Sequence, residues 1–303
     1  MRKKEVGVNR ETSSPEEVSV ISEPSRRKVP SSLAQVGTTV KYTFIDYLRS
    51  RRFFILLAIG LIISGLLTVL VGYYRPPDFM PSGLMFFSTW WGLVPNFVLV
   101  LSGIFFGGDA ISGEFQNKTG YFTIPNPIRR SSIYIGKWIS AFFASSIILA
   151  IFAAIAVANE MYYFGISNVP YQFWQALAFS WIYLAAVLGF TFFFSALFKS
   201  SALSILVTAI LLLFGFSTVE LLITSVVKIE PWFMLTYGAG IISNVLMPTY
   251  PAHFASTHFG PPNGGVTLTS YNATIPEGIA IMLVYFLVTA ILGLLLFERK
   301  EFT

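Results

Sequence analysis

Cysteine is absent from this 303-residue sequence, and charged side chains are scarce. The first absence excludes disulfide bonds, thiolate metal ligands and a cysteine nucleophile. The second is more informative, because only 12% of the residues are charged while 54% are hydrophobic and 17% are aromatic, and the mean hydropathy is +0.68. A water-soluble domain does not have this balance. The composition therefore predicts an integral membrane protein.

Histidine is nearly as scarce, since His253 and His258 are the only two. An intramembrane serine protease of the rhomboid kind would need a histidine at membrane depth, and both residues lie outside the long apolar runs. Their spacing of five does not place them on one helical face, and no carboxylate lies near them in the sequence. We therefore interpret them as loop histidines and predict no metal site.

Motifs for nucleotide hydrolysis are missing as well. The phosphate-loop pattern GxxxxGK[ST] does not occur, because Gly136 and Lys137 are followed by Trp138 and not by a hydroxyl residue. The chain alone is therefore not expected to hydrolyse ATP. We predict neither catalytic residues nor a cofactor on it.

The N-terminal region divides into two parts. Residues 1–32 are rich in Ser, Pro, Glu, Lys and Arg and contain no apolar core of a signal peptide, so we predict a disordered tail. Across 33–52, apolar residues such as Val36, Val40 and Phe44 recur at helical spacing. Charged residues lie off that stripe, which favours an amphipathic helix on the cytoplasmic membrane surface.

Six apolar runs follow, each long enough to cross a hydrocarbon core of about 30 Å at about 1.5 Å per residue. We predict an all-α integral membrane protein with a long loop, 227–277, between the fifth and sixth spans. The first part of that loop, 228–248, is apolar enough to form short interfacial or re-entrant helices. The predicted spans are about 53–73, 84–106, 138–157, 173–198, 202–223 and 278–297.

The distribution of basic residues sets the orientation of these spans. With the N-terminus in the cytoplasm, 18 of the 20 Lys and Arg residues are cytoplasmic, and only Arg75 and Lys228 lie outside. We therefore expect a multi-pass protein of the plasma membrane, with both termini and the loop 107–137 inside and the loop 227–277 outside. The net charge of +5 then reflects topology, and we predict no nucleic-acid partner.

Polar residues within the predicted spans are costly in lipid and are therefore candidates for function. Glu220 is the only carboxylate that we place inside a span, near its outer end. It either reaches the outer interface or a neighbouring helix, or it lines a passage between two copies of the subunit. Asn96, directly after Pro95, either hydrogen-bonds across helices or pairs with the backbone acceptor that the proline leaves unsatisfied.

The polar segment between the second and third spans carries the most specific pattern. It reads DAISGEFQNKTGYFTIPNPIRRSSIYIGKW from Asp109 to Trp138. This segment resembles the cytoplasmic signature of ABC-2 type (type-2 ABC exporter) permeases. In it, acidic residues at the end of a span are followed by a small or hydroxyl pair, an apolar stretch, proline, a basic residue and then Gly-Lys. The Thr-Gly order, the Tyr-Phe pair and the second proline depart from the usual family pattern. The matching positions are Asp109, Glu114, Thr119, Gly120, Ile124, Pro125, Pro127, Arg129, Gly136 and Lys137.

This resemblance implies a permease subunit that pairs with a second permease, as a homodimer or heterodimer, and with two ATPase subunits that hold ATP and Mg²⁺. It also implies a coupling helix, about 114–126, that docks on the ATPase. Tyr121 and Phe122 offer an apolar anchor for this docking, and Pro125 and Pro127 a rigid reversal of the chain. The basic residues that could meet ATPase carboxylates or lipid phosphates are Arg129, Arg130 and Lys137.

Other interpretations stay open at this point. The loop 107–137 could be an ordinary positive-inside loop whose aromatic side chains rest on membrane lipid. The protein could also be an ion-coupled secondary transporter, or a non-transporting scaffold or sensor subunit. The sequence does not name a substrate, but the resemblance favours an exporter that uses ATP hydrolysed by a partner subunit.

Overall fold

The computed structural model describes residues 31–76, 82–92, 95–118, 128–165, 169–259 and 266–300. Most of these residues are helical, and six helices are long and apolar enough to cross a membrane. The predicted fold class, an all-α integral membrane protein, is therefore confirmed. Almost all of the predicted N-terminal tail lies outside the described residues.

The N-terminal helices are divided by one serine. α1 spans Ser32–Arg49, and α2 spans Arg51–Tyr74. Between them Ser50 has an extended backbone, with φ −73° and ψ 144°, and its Oγ accepts the N–H of Phe53 at 3.2 Å. This contact caps α2, because it satisfies an amide of the first turn. Arg51 and Arg52, which were predicted to end the surface helix, therefore belong to the helix of the first span.

The second span is not one regular helix. α3 spans Gly83–Gly92, a π-helical turn occupies Pro95–Leu99, and α4 spans Val100–Gly107. Pro95 has no amide hydrogen and cannot donate a helical hydrogen bond, and the described residues that begin with it form a π-helical turn before α4. The predicted span 84–106 is thus interrupted, and the apolar stretch that could cross the membrane is Phe97–Gln116.

The third span extends beyond the predicted apolar run at both ends. A short helix, α5, spans Ser112–Gln116, and α6 then spans Arg130–Phe164, whereas the hydropathy predicted only 138–157. A helix continues as long as its backbone hydrogen bonds are satisfied within the segment, whatever the polarity of its ends. The end of the predicted loop 107–137 is therefore helical.

The extension of α6 brings a second carboxylate into a span. Glu160 is fully buried, and neither of its carboxylate oxygens has a hydrogen-bond partner among the described residues. The neighbouring Asn159 donates to Thr68 Oγ1 of α2 at 3.0 Å. The expectation that Glu220 is the only carboxylate within a span is therefore wrong, because the predicted span ended before Glu160.

The fourth and fifth spans differ in burial. α7 spans Tyr171–Leu197 and lies at the centre of the bundle with most of its apolar residues buried. α8 spans Ser201–Val227 and includes π-helical turns at Leu211–Gly215 and Ile223–Val227. Most of α8 is exposed at the outside of the bundle, where contact with lipid or with another membrane protein would cover its apolar side chains.

The loop after α8 is folded, and part of it is β-structure. α9 spans Leu235–Ala239 and α10 spans Ile241–Asn244, and most of their residues are buried. β1, Phe254–Phe259, and β2, Val266–Tyr271, form an antiparallel hairpin. The first part of the loop thus contains short helices, as expected. The hairpin was not predicted, because its strands are polar and lack a regular apolar alternation.

The hairpin rests against the C-terminal end of α8. In its register Phe254 lies opposite Tyr271, and the two ring centres are 5.3 Å apart. The Thr269 hydroxyl donates to the carbonyl oxygen of Thr224 at 2.8 Å, and the Tyr271 hydroxyl donates to that of Lys228 at 2.7 Å. Since both acceptors lie at the end of α8, these hydrogen bonds attach the hairpin to the fifth span.

The last helix, α11, spans Ile275–Arg299 and packs along α7. Thr274 and Glu277 form a capping box at its start, with the Thr274 N–H donating to Glu277 Oε2 at 3.2 Å. One turn further on, the helix meets α9 at close range. A Cβ on Gly278 would lie 2.7 Å from the carbonyl oxygen of Gly238, so this crossing requires glycine.

Gly278→Ala is expected to destabilise the protein, because its methyl group would clash with Ile241 Cγ2 and would lie 2.7 Å from the Gly238 carbonyl oxygen. The Ile241 side chain could change its rotamer, but the carbonyl oxygen belongs to the backbone and cannot rotate away. Overpacking of this kind costs about 1–3 kcal/mol. Gly65→Ala in α2 is the matched control, since a Cβ there meets no atom within 4 Å. Thermal unfolding of both variants in detergent checks the prediction, and equal melting temperatures for Gly278→Ala and the unmodified protein would contradict it.

Candidate functional site

The structure describes the two sides of the predicted coupling loop. We call 119–127 the central segment, and 107–118 and 128–137 its flanks. The flanks hold Asp109, Glu114, Arg129, Arg130 and Lys137, whose positions are described. The remaining predicted residues, Thr119, Gly120, Tyr121, Phe122, Pro125 and Pro127, lie in the central segment, outside the described residues.

Two ion pairs fix the flank that enters the central segment. Arg52 Nη1 of α2 lies 2.5 Å from Asp109 Oδ1. Lys137 of α6 pairs with Glu114 of α5, and its Nζ also donates to the carbonyl oxygen of Ala110 at 2.8 Å. The chain between α4 and the central segment is therefore tied to two different long helices.

A buried serine of α7 holds the start of α5. Ser195 Oγ accepts the N–H groups of Ile111 and Ser112 at 2.9 and 3.0 Å. Amides at a helix start have no acceptor within the helix, so Ser195 acts as a cap supplied by another helix. At the other end of α5, Gln116 Oε1 accepts the N–H of Ser201 at 2.7 Å, which ties the flank to the start of α8.

The flank that leaves the central segment is held by α1 and by the C-terminal end of α11. Gln35 of α1 is buried, and its Oε1 accepts the N–H of Arg129 at 3.0 Å. The Arg130 guanidinium donates to the carbonyl oxygens of Glu298 and Lys300 at 3.0 and 2.7 Å. Sequence analysis missed Gln35, because nothing in the local pattern of an amphipathic helix marks one glutamine as a buried acceptor.

α1 packs closely along α6, where the flank becomes helical. A Cβ on Gly136 would lie 2.7 Å from Thr39 Cβ, so the glycine of the Gly-Lys pair permits this contact. Further along α1, the Tyr47 hydroxyl donates to the carbonyl oxygen of Phe106 at 3.1 Å. Burial raises the pKa of Tyr47, so the phenol stays protonated and remains a donor.

Lys300 joins the last helix to the same region. Its Nζ donates to the carbonyl oxygens of Ala196 and Phe198, both at 2.8 Å, and lies 4.4 Å from the ring centre of Phe115. These carbonyls belong to the end of α7, where backbone acceptors lack helical donors. Burial lowers the pKa of Lys300 to about 8, with a smaller contribution from the charge of Lys199.

The ion pairs border a polar cleft of about 270 Å³ between α1, the start of α2, α5 and α6. Three carboxylates line it, and two of them, Asp109 and Glu114, pair with basic side chains, while Asp46 is the third. The two ion pairs join separate helices, which suits a mechanical joint. The flanks are thus fastened to α1, α2, α6, α7, α8 and α11.

Both flanks lie within the residues that match a known protein family. The family model described as ABC-2 family transporter protein matches residues 38–302. The chain belongs to the ABC-2 transporter family. No curated protein matches it. The predicted family is therefore confirmed, and the chain is a membrane permease subunit of an ABC transporter. Membership of this family implies association with an ABC ATPase.

The two intramembrane candidates of the permease lie away from the flanks. Glu220 of α8 accepts a hydrogen bond from the Thr236 hydroxyl of α9, so the fifth span contacts the folded loop beside it. A cavity of about 140 Å³ lined by Thr236, Tyr183 and Phe97 lies there. Asn96 lies in the π-helical turn of the second span, and its side chain lies outside what the structure describes.

Lys137→Met in the permease should lower the unfolding free energy by about 2–3 kcal/mol, because it leaves the carboxylate of Glu114 sheltered without its cation. The side chains of Lys137 and Glu114 are 15% and 20% exposed, whereas those of Arg52 and Asp109 are 45% and 17% exposed. The double variant Lys137→Met with Glu114→Gln should recover part of the loss. Unfolding of the four proteins in a double-mutant cycle measures the coupling, and strictly additive effects would contradict it.

A more exposed pair provides the comparison for that cycle. Arg52→Gln should cost less, about 1 kcal/mol, because solvent screens the guanidinium and the glutamine amide can still donate a hydrogen bond to Asp109. A larger loss for Arg52→Gln than for Lys137→Met would reverse the expected order.

Lys300 of the permease should titrate near pH 8 in the folded protein, because burial disfavours its charged form. Reductive methylation with ¹³C-formaldehyde followed by NMR titration measures this pKa, and Lys300→Arg removes the signal and so assigns it. The folded state binds fewer protons than the unfolded state between pH 8 and the ordinary lysine pKa of 10.5. Stability should therefore rise with pH across that window, and a titration near pH 10.5 would contradict both expectations.

Proposed function

We propose that this permease exports its substrate by using ATP that separate ATPase subunits hydrolyse, and that the central segment docks on those subunits. The observation that carries the proposal is the anchoring of both flanks to six helices. A segment that receives a mechanical input can transmit it only if its ends are fixed to the elements that must move. The flanks meet this requirement through Ser195, Gln35, Lys137 and Arg52.

The charge at the ends of the central segment supports a protein partner. Lys118 is the last described residue before it, and Arg129 lies just after it. Both side chains are exposed, and together with the apolar residues Tyr121 and Phe122 they would form an anchor with a basic rim. Such a surface suits a groove with carboxylates at its edge.

In the proposed mechanism, ATP binding brings the two ATPase subunits together and moves the docked segments. The flanks pass that displacement to α2 and α6 through the ion pairs, and to α7 through the Ser195 cap. The permease then changes between inward-accessible and outward-accessible states. ATP and Mg²⁺ belong to the partner, and this chain contributes the joint and the transmembrane passage.

We also propose a plasma-membrane location with both termini in the cytoplasm and a second permease subunit as partner. α1 and the residue that follows α11 both contact the flanks, which supports one common side for the described ends and the central segment. The excess of Lys and Arg supports a cytoplasmic location for that side. The exposed apolar faces of α2, α8 and α11 provide room for lipid and for a second permease.

Ion-coupled transport is the second candidate, because one observation favours it. Glu160 is buried within α6, and its oxygens have no hydrogen-bond partner in the described part of the chain. A carboxylate in that position could take up and release a proton. Transport by the purified permease alone in liposomes, driven by a proton gradient without any ATPase, would favour this candidate over the first.

Tyr121→Ala and Phe122→Ala should each weaken the complex with an ATPase that carries a phosphate loop, by about fivefold or more, because each removes an aromatic anchor. Copurification and titration of the two subunits in detergent measure the loss. Tyr162→Ala is the matched control, since this tyrosine lies at the other end of α6 and is 82% exposed. Unchanged assembly and unchanged coupling of ATP hydrolysis in both variants would refute the docking role.

A further inference from the structure

Three ionisable side chains meet on the far side of the bundle from the flanks. Glu230 follows α8, His253 precedes β1, and Glu277 lies in the first turn of α11. One potential ligand atom from each lies within 4.8 Å of the others. We expected no metal site because no carboxylate lies near His253 in the sequence. In the folded protein, however, one carboxylate from the preceding chain, Glu230, and one from the following chain, Glu277, lie beside His253.

The orientation of His253 is fixed by a hydrogen bond outside this group. Its Nδ1 lies 2.9 Å from the carbonyl oxygen of Asn272, and because a carbonyl only accepts, Nδ1 carries the proton. In the neutral imidazole the lone pair is therefore on Nε2, which lies 3.3 Å from Glu230 Oε2. Histidine ligands of metal ions are oriented in this way, with the other ring nitrogen donating to a carbonyl.

The two carboxylates are also held in place. Glu230 Oε1 accepts the hydroxyl of Tyr237 at 2.7 Å, which holds the pKa of Glu230 below its usual range. Glu277 Oε2 accepts the N–H of Thr274 in the capping box of α11. When His253 is neutral, three acceptor atoms face one another, and this arrangement is repulsive unless a cation lies between them. A protonated His253 would instead donate from Nε2 to Glu230.

We propose that Glu230, His253 and Glu277 bind a divalent transition-metal ion of the Zn²⁺ type. One imidazole nitrogen with two carboxylate oxygens suits such an ion, whereas Ca²⁺ and Mg²⁺ prefer oxygen ligands alone. The side chain of His253 is 47% exposed, so an ion can enter from solvent. A fourth coordination position is left for water. The bound ion links the end of α8 to the start of α11.

The experiment uses the full-length permease in detergent after treatment with a chelator. Zn²⁺ should bind with a stoichiometry of one ion per permease chain and should raise the melting temperature. Ca²⁺ and Mg²⁺ should neither bind nor raise it. Co²⁺ should give a visible absorption band without the thiolate charge-transfer band, since the chain has no cysteine. The Co²⁺ spectrum needs no variant and so does not depend on a substitution that folds poorly.

The variants use the fact that the chain holds only two histidines. His253→Ala and Glu230→Gln should weaken Zn²⁺ binding at least about tenfold, by loss of a ligand. His258→Ala is the matched control and should bind Zn²⁺ as the unmodified protein does. Equal binding by His253→Ala, or no effect of Zn²⁺ on the unmodified protein, would overturn the proposal. If acid alone stabilised the protein and Zn²⁺ had no effect, the proposal would be wrong, and a protonated His253 would hold the two carboxylates together instead.

Discussion

Backbone groups at helix ends are the constraint on which this structure depends, because amides and carbonyls near a bilayer need partners and a helix end supplies none. At three helix ends, side chains from other elements supply these hydrogen-bond partners. Ser195 accepts amides at the start of α5, Gln35 accepts the amide before α6, and Lys300 donates to carbonyls at the end of α7. These three helix ends are therefore stabilised by side chains of other elements, which couples their positions.

This mutual dependence explains why the polar flanks hold a position between apolar helices. The flanks carry charge, yet the ion pairs Arg52–Asp109 and Lys137–Glu114 balance it within the fold. Short hydrogen-bonded links through side chains are stiffer than a loop held only at its ends. Such stiffness is what the proposed mechanism requires, since in it the permease receives the work of an ATPase partner as a movement.

Composition and local pattern were enough to predict the fold class, six apolar helices and the family. Hydropathy is a property of a short window of sequence, and the Asp109–Trp138 pattern is contiguous. The ends of α6, the burial of Glu160 and the role of Gln35 could not be predicted, since each depends on residues distant in sequence. The same reason applies to the hairpin and to the carboxylates around His253, which converge only in the folded loop.

α11 connects the two polar regions of the permease. It is 25 residues long, its first turns meet α9 at Gly278 and carry Glu277, and the residue after its end, Lys300, holds α7 and contacts the ring of Phe115. A helix resists compression along its axis, because its backbone hydrogen bonds run parallel to that axis. A displacement of the flanks along this axis would therefore be accommodated at the loop between α8 and α11, either by sliding of α11 along α7 or by movement of α9 with it. The close glycine contact at Gly278 disfavours sliding there, so α11 and α9 are expected to move as one body.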